Sequence, residues 1–259
     1  MGEVIFARPR HWYDSYQDLY KLIDLSGFRW VHFDEIDPTS DNTYILTAIN
    51  GENQAGWEAP RARIIHWNLE WDAYPPVPGV CETWASDKWF AESIGARYVP
   101  MGSHSGLKDF GLEHVPDTLY DAAFMGYMIP RRQQVWTWLM ERGLRLTPRG
   151  AWGIDRHRLL MQSAVYLHVH QHDDKPGLPA LRMVVAAAYS LPFITEEVRD
   201  RGIFGYTHFM QSSYGEVLAD FVKMWACDED RRRLNDYGAG LHDLLCRDLT
   251  FRRSVEKAV

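Results

Sequence analysis

Short apolar runs alternate with stretches of helical period twice over, and this rhythm restricts the fold more than any other feature of the chain. The first series opens with VIFA at residues 4–7 and passes into SYQDLYKLIDLSG, where Tyr16, Leu19, Tyr20 and Ile23 recur at helical spacing and Gly27 closes the turn. WVHFDEI, TYILTAI and ARIIHWNLE follow as strand-like runs bounded by turn residues, and CETWASDKWFAESIGARYVPMG reads as strand, helix, strand. GLKDFGLEHVPDT, residues 106–118, is rich in glycine, proline and charge, has no period, and reads as a connector. The second series runs YDAAFMG (strand), RRQQVWTWLMERG behind Pro130 (helix), LRLT (strand), DRHRLLMQS (helix), AVYLHVH (strand), ALRMVVAAAYS (helix), LPFIT and HFMQS (strands), with GEVLADFVKMW and DLTFRRSVEKAV helical. Alternation of this kind predicts an α/β protein of two Rossmann-like domains, each a mostly parallel sheet covered by helices on both faces.

The 259 residues are 46% hydrophobic and 24% charged, which is ample for a core, and the net charge of −7 argues against a general nucleic-acid coat without excluding a local basic groove. Three scattered cysteines, Cys81, Cys227 and Cys246, form no metal or redox spacing and fit a reducing compartment. MGEVIFARPRHWYD lacks the layout of a signal peptide, and no apolar run approaches the ~20 residues that span a bilayer. The expectation is a cytoplasmic protein with no membrane span.

Ligands of open α/β sheets bind beyond the carboxyl ends of the strands. Three loops leave strand ends in the second series, GYMIPRR, HQHDDKPG and TEEVRDRG. They bring Arg131, Arg132, Lys175, His170, His172, Asp173 and Glu196 toward one crevice, together with helix N-termini that favour phosphate. A nucleotide diphosphate suits this set. The density of histidine in LHVHQHDDKPG also raises a metal site, since His168, His170 and His172 share one strand face and Asp173 follows. His168, however, falls inside a strand covered on both faces, where a core histidine is the simpler role, and no metal is expected. No G-x-G-x-x-G follows the first strand and no G-K-[ST] occurs, which removes the dinucleotide dehydrogenases and the P-loop enzymes.

The order of these segments resembles the GT-B glycosyltransferases, and more narrowly the CgeB-like and phage-encoded group. YDAAFMGYMIPRR is similar to that family's strand, glycine and arginine-bearing first loop, with Gly126 at the turn. AVYLHVHQHDDKPGLPALRMVVAAAYSLPFITEE follows its strand, donor loop, R-x-x-x-A-x-A helix (opening at Arg182), proline-bearing strand and acidic end. WASDKWFAESIGARYVPMGSH resembles its last first-domain unit, and Thr250, Phe251 and Arg253 its closing helix. The resemblance implies a compact GT-B fold with domains facing across a cleft. It places an acceptor-side domain at 1–110, a nucleotide-sugar domain at 111–235, and a helical tail at 236–259 that returns toward the first domain. The implied activity is sugar transfer from a nucleotide-diphosphate sugar to a hydroxyl of a protein, a glycan or a modified DNA base, with no cofactor and no metal. Gly126, Arg131, Arg132, His170, His172, Asp173, Lys175, Arg182 and Glu196 would face the donor. Asp14 and His11 are the candidates for general base, with Glu70 and His104 behind them.

The chain departs from that pattern at Val185, near the place of the family's ribose-binding glutamate, and at Ser190, where a glycine is usual. Ribose recognition then falls to Glu196 or Glu197, or is missing. A nucleotide-sugar epimerase or hydrolase on the same fold, and an inactive sugar-nucleotide-binding protein, are the alternatives. Donor identity, stereochemistry and oligomeric state are not fixed by these residues.

Overall fold

The computed structural model describes residues 2–10, 16–47, 56–69, 77–109, 111, 118–148, 151, 153–170, 177–199, 202, 210–212, 222, 224 and 228–259. Six strands form the first sheet: β1 (Val4–Arg8), β2 (Arg29–His32), β3 (Thr43–Leu46), β4 (Arg63–Asn68), β5 (Glu82–Ala85) and β6 (Arg97–Tyr98). All pairs are parallel, in the order β2-β1-β3-β4-β5-β6. α1 (Gln17–Leu25) connects β1 to β2, and α2 (Lys88–Ile94) connects β5 to β6. The carboxylate of Asp87 caps α2 by accepting from Phe90 N at 2.7 Å, and Gly95 ends the helix at φ +66°.

The second sheet is also parallel, ordered β10-β9-β8-β7 from β7 (Tyr120–Phe124), β8 (Ser163–His168), β9 (Phe193–Glu196) and β10 (Met210–Ser212). α3 (Pro130–Glu141) and α4 (Gly153–Met161) lie between β7 and β8, and α5 (Ala180–Ala188) between β8 and β9. α3 begins on Pro130, whose missing N–H costs nothing in the first turn, and buries Val135 and Leu139 against Phe124 and Leu167. α6 (Asp228–His242), a π-helical turn (Asp243–Asp248) and α7 (Phe251–Ala258) complete the chain.

Strand alternation divides the core. In the first sheet Phe6, Ile65 and Trp67 point to one face, while Ile5, Ala7 and Ile64 point to the other. The Phe6 face and the inner face of the second sheet, carrying Tyr166 and Phe193, join in a single cluster with α1, α5 and α7 between them. The halves therefore share one core. Among the described residues, the opposite face of the first sheet is covered by Phe33, Ile36, Ala62 and Val77 from turns and loops rather than by the expected helices. Phe33 and Ile36 precede the run DPTSDN and Val77 precedes Pro78 and Gly79, and such proline, glycine and short polar residues do not propagate a helix.

α7 lies on the first sheet. The Phe251 ring stacks on Trp67 at 5.7 Å and 20°, and sits 5.7 Å from Phe6. Arg63 and Arg97 donate to the carbonyls of Val259 (2.9 Å) and Ala258 (2.6 Å), satisfying the helix end with cations where its dipole is negative. Just outside the first sheet, Ser103 N–H donates to Leu245 O, Phe251 N–H to Ser103 O, and Ser103 Oγ to Val184 O at 2.7 Å. Gly102 lets this crossing close, because a Cβ there would overlap the Leu249 carbonyl.

Three expectations differ in detail. The WVHFDEI strand stops at His32 and turns into a 3-10 segment, Phe33–Glu35. LRLT is reduced to a single bridge between Leu146 and Ala122, because the Asp121 carboxylate takes the Arg145 N–H and the Thr147 hydroxyl takes the Phe124 N–H that a ladder would use. α6 spans residues 235 and 236, where the polar run DEDRRRLND gave no apolar period to read. No helix among the described residues is long and apolar enough to cross a membrane.

Phe251→Ala should lower the unfolding free energy by about 3–5 kcal/mol, the usual cost of emptying a buried aromatic site. Urea unfolding followed by tryptophan fluorescence checks this, and a loss below about 1 kcal/mol would contradict the packing described.

Candidate functional site

The single bridge at Leu146 lies on one side of β7 and β8 lies on the other, so the strand order turns at β7. Crevices at such turning points are where α/β sheets bind ligands. Gly126, at φ +122°, carries the chain out of β7. A Cβ on Gly126 would lie 2.7 Å from Arg182 Nη2 and 3.3 Å from Arg132 Nη1, so the two guanidiniums converge on the space that glycine leaves open.

Arg131 and Arg132 brace the three strand ends. Arg131 forms a fork with Glu196, Nη1 to Oε2 at 2.8 Å and Nη2 to Oε1 at 2.7 Å, and also donates to His170 O at 3.0 Å. Glu196 further accepts from His170 N at 2.5 Å and is 2% exposed. Arg132 donates from Nε to Val169 O (2.9 Å) and from Nη1 to Tyr127 O (3.1 Å). The arginine pair thus ties the loop after β7 to the ends of β8 and β9.

Arg182, in the first turn of α5, donates to His168 Nδ1 at 2.6 Å. His168 is 1% exposed, stacks on Phe193 (6.2 Å, 15°), and is held neutral by burial and by the nearby Arg182. A neutral ring is what an arginine donor needs at Nδ1. Among the described residues neither Arg132 nor Arg182 has a carboxylate in ion-pair range, and Arg132 Nη2 and Arg182 Nη2 make no hydrogen bond. Burial, followed by the charge of Arg182, pulls the Arg132 pKa down to about 10. Two uncompensated guanidiniums against one glycine form a site that an anion would relieve.

A second polar cluster lies where the halves meet. Asp18 of α1, 1% exposed, accepts from Arg156 and from His157 Nε2 (2.8 Å), both on α4. The other nitrogen of His157 bonds the Tyr189 hydroxyl. Burial, aided by the Arg156 charge, drives the His157 pKa down to about 3. The neutral ring therefore donates from Nε2 to Asp18 and accepts from Tyr189 at Nδ1. Tyr166, buried between the two clusters, has its pKa raised by burial while Arg182, Arg156 and Arg132 oppose the rise.

Of the candidates read from the sequence, Gly126, Arg131, Arg132, His170, Arg182 and Glu196 are gathered at the ends of β7, β8 and β9. Glu196 is committed to Arg131 and His170, which turns its carboxylate from ribose recognition to bracing. His170 donates from Nε2 to Glu197 O at 3.0 Å. His104 caps a 3-10 turn, its Nδ1 accepting from Gly106 N. Val185 is 3% exposed in the shared core, where an acid would have no partner. His11, Asp14, Glu70, His172, Asp173 and Lys175 lie outside the described residues. No group of histidine, cysteine, aspartate or glutamate that could hold a metal occurs among the described residues. Sequence reasoning missed Asp18, Arg156, His157 and Tyr189. DRHR offered a dense polar run in a short helix, but nothing in it points to an aspartate far away on α1.

No family profile matches the chain's sequence, and no curated protein matches it. Solved structures do match. AviGT4, a glycosyltransferase involved in avilamycin A biosynthesis, superposes with a TM-score of 0.65 at 11% identity, covering 98% of this chain and 96% of its own. The DNA-modifying enzyme β-glucosyltransferase, described with and without uridine diphosphoglucose, gives 0.57 at 12% identity over 100% and 99%. Anabaena HepE, in complex with UDP and glucose, gives 0.57 at 8% over 100% and 99%. TarM gives 0.53 at 8% identity over 93% of this chain, which spans 56% of TarM's length.

The buried histidines give a pH dependence with a fixed sign. The pKa of His66 falls to about 4 through burial and that of His157 to about 3, against 6.5 unfolded. The unfolded chain alone takes up protons below pH 6.5, so this stability is full above pH 6.5 and drains as pH falls toward 4 and 3. Between pH 7 and pH 5 each histidine should remove about 2 kcal/mol of unfolding free energy. Urea unfolding at the two pH values tests it, and His66→Gln should flatten the difference by about one histidine's share. With these sheets, this crossing and these neighbours, the chain has the compact GT-B fold of glycosyltransferases.

Proposed function

We propose that the protein is a glycosyltransferase that moves a sugar from a nucleotide-diphosphate donor to an acceptor hydroxyl. The observation that carries this reading is the convergence of Arg132 and Arg182 on Gly126 with no carboxylate among the described residues to neutralise them. When the glycosidic bond to the diphosphate breaks, negative charge grows on the leaving oxygens. Donors already fixed in place stabilise that charge without reorganising. Arg132 is fixed by two carbonyls and Arg182 by His168, and Arg182 stands in the first turn of α5, where the helix dipole is positive. The reaction needs no metal on this reading, since guanidiniums take the part of the cation.

The charge count supports the same ligand. Among the described residues of the crevice, Arg132 and Arg182 leave two positive charges, while Arg131 is paired with Glu196. A nucleoside diphosphate-sugar carries about two negative charges, one per phosphodiester oxygen pair. The loop after β1, with His11 and Asp14, is the place we assign to the base that takes the acceptor's proton, and His172, Asp173 and Lys175 to the donor's loop. The sugar moved is a hexose or a pentose. The acceptor is a hydroxyl of a protein, a glycan or a modified DNA base, and a phage-encoded enzyme of the CgeB-like group working in the cytoplasm accords with the motif order. Two structural neighbours are described with uridine nucleotides, which makes UDP-glucose the first donor to try.

Arg182→Gln keeps the donor turn's length and removes its charge. It should weaken UDP-glucose binding at least about tenfold by calorimetry, one charge-assisted bond in a shielded site being worth that much, with the melting temperature of the free protein little changed. Equal affinity would remove the donor from this crevice. Release of free glucose without an acceptor would identify a nucleotide-sugar hydrolase instead.

A further inference from the structure

Pro179 stands at the N-cap of α5, where its ring offers no acceptor to the first turn and its nitrogen carries no hydrogen. The last backbone donor before it, Leu178 N–H, is held by a residue of the other half: Asp87 Oδ2 accepts it at 2.7 Å. The second oxygen of Asp87 accepts from Phe90 N and caps α2. Asp87 is 3% exposed, so one buried carboxylate grips the start of a helix in each half. From Leu178 the bonds run on to the crevice. Ala180 N–H donates to Leu178 O at 2.9 Å and Arg182 N–H to Pro179 O at 3.0 Å. The Arg182 side chain then reaches His168 and the space beside Gly126. The segment after β9 rests on the same part of the first half. Arg199 lies over the Trp89 ring of α2 at 4.7 Å, and a Cβ on Gly202 would overlap the hydroxyl of Tyr98 in β6.

We propose that Asp87 is a positioning residue for the donor crevice: through Leu178 N–H it seats the start of α5 and so sets where the Arg182 guanidinium stands against Gly126. The inference rests on the donor reading above. Ser103 holds α5 at Val184 O, and Asp87 supplies a second point of attachment at the end that carries Arg182. A hydrogen bond to a charged acceptor is both shorter and stronger than one between neutral groups, which suits a contact that must fix a direction. Because this carboxylate belongs to the first half, donor affinity depends on the two halves being docked. By linkage, a bound donor must in turn tighten the bond between Asp87 and Leu178.

The test is the affinity for UDP-glucose, measured by calorimetry on the whole chain at a temperature where tryptophan fluorescence shows each variant folded. Asp87→Asn and Asp87→Ser both keep an oxygen that can cap α2, but neither keeps a second one for Leu178 N–H. Each should weaken binding by about fivefold or more, the low end of coupling between linked sites. In an Arg182→Gln background the same replacements should cost less than about twofold further, because the guanidinium they misplace is already gone. A merely structural Asp87 would lower the melting temperature with affinity unchanged, or weaken binding by one factor with and without Arg182, and either result overturns the proposal. If neither variant folds, amide exchange in the wild type decides. UDP-glucose should slow exchange at Leu178, and an unmoved rate there overturns the role of Asp87. Wild-type protein that does not bind UDP-glucose, or binding that Arg182→Gln leaves intact, sinks the donor reading and this role with it. Binding that Arg182→Gln weakens and the Asp87 replacements do not sinks only the role of Asp87.

Discussion

The insertion of Phe251 among Phe6, Phe28 and Trp67 is the contact on which the remaining architecture depends. It brings the last helix onto the first sheet and so forces the chain to cross itself at Gly102 and Ser103. The crossing in turn fixes α5 through the Ser103 bond to the Val184 carbonyl. α5 carries Arg182 at one end and leads to Tyr189 at the other. A packing contact in one half thus determines where Arg182 of the other half stands.

The arginines of the second sheet divide their labour by what neutralises them. Arg131 is answered by Glu196 and Arg156 by Asp18, and each pair satisfies buried neighbours. Buried pairs of this kind add little net stability, because desolvation offsets attraction, but they hold geometry once formed. Arg132 and Arg182 are answered by carbonyls and a neutral imidazole, which fix direction without removing charge. That difference separates the braces from the groups left with charge to offer. His168 belongs to the support as well: a ring that seemed merely a core residue holds Arg182 in place.

Period and punctuation made most of the strands and helices legible. Pro130, Gly95 and Gly126 mark their positions because each has a conformational reason that a single residue carries. The strand LRLT misled because competition from Asp121 and Thr147 for backbone groups is invisible to a hydropathy pattern. The start of α6, residues 228–235, gives no apolar period because its exposed residues are mostly charged, whereas its end falls in the helical tail expected at 236–259. In the site, Arg131 and Arg132 are legible from loop position, since parallel sheets send their loops to one edge, whereas Arg182 is marked only by the resemblance's R-x-x-x-A-x-A helix. The Asp18 cluster could not, because its members are brought together only by the docking of α1 on α4. Glu196 was seen as a ligand group, and only its hydrogen bonds revealed a brace.

The crossing also has a bearing on how the protein is made. The first sheet is complete by Tyr98, but its aromatic core still lacks Phe251, and the carbonyls that Arg63 and Arg97 bind lie at the end of α7. While the ribosome is still synthesising the second sheet, the first holds an open apolar seat beside arginines paired with Glu82 that still lack their carbonyl partners. The N-terminal half is thus left waiting through most of translation, exposed to chaperones and to other nascent chains. It becomes a finished unit only when residues 251–258 emerge and occupy the seat.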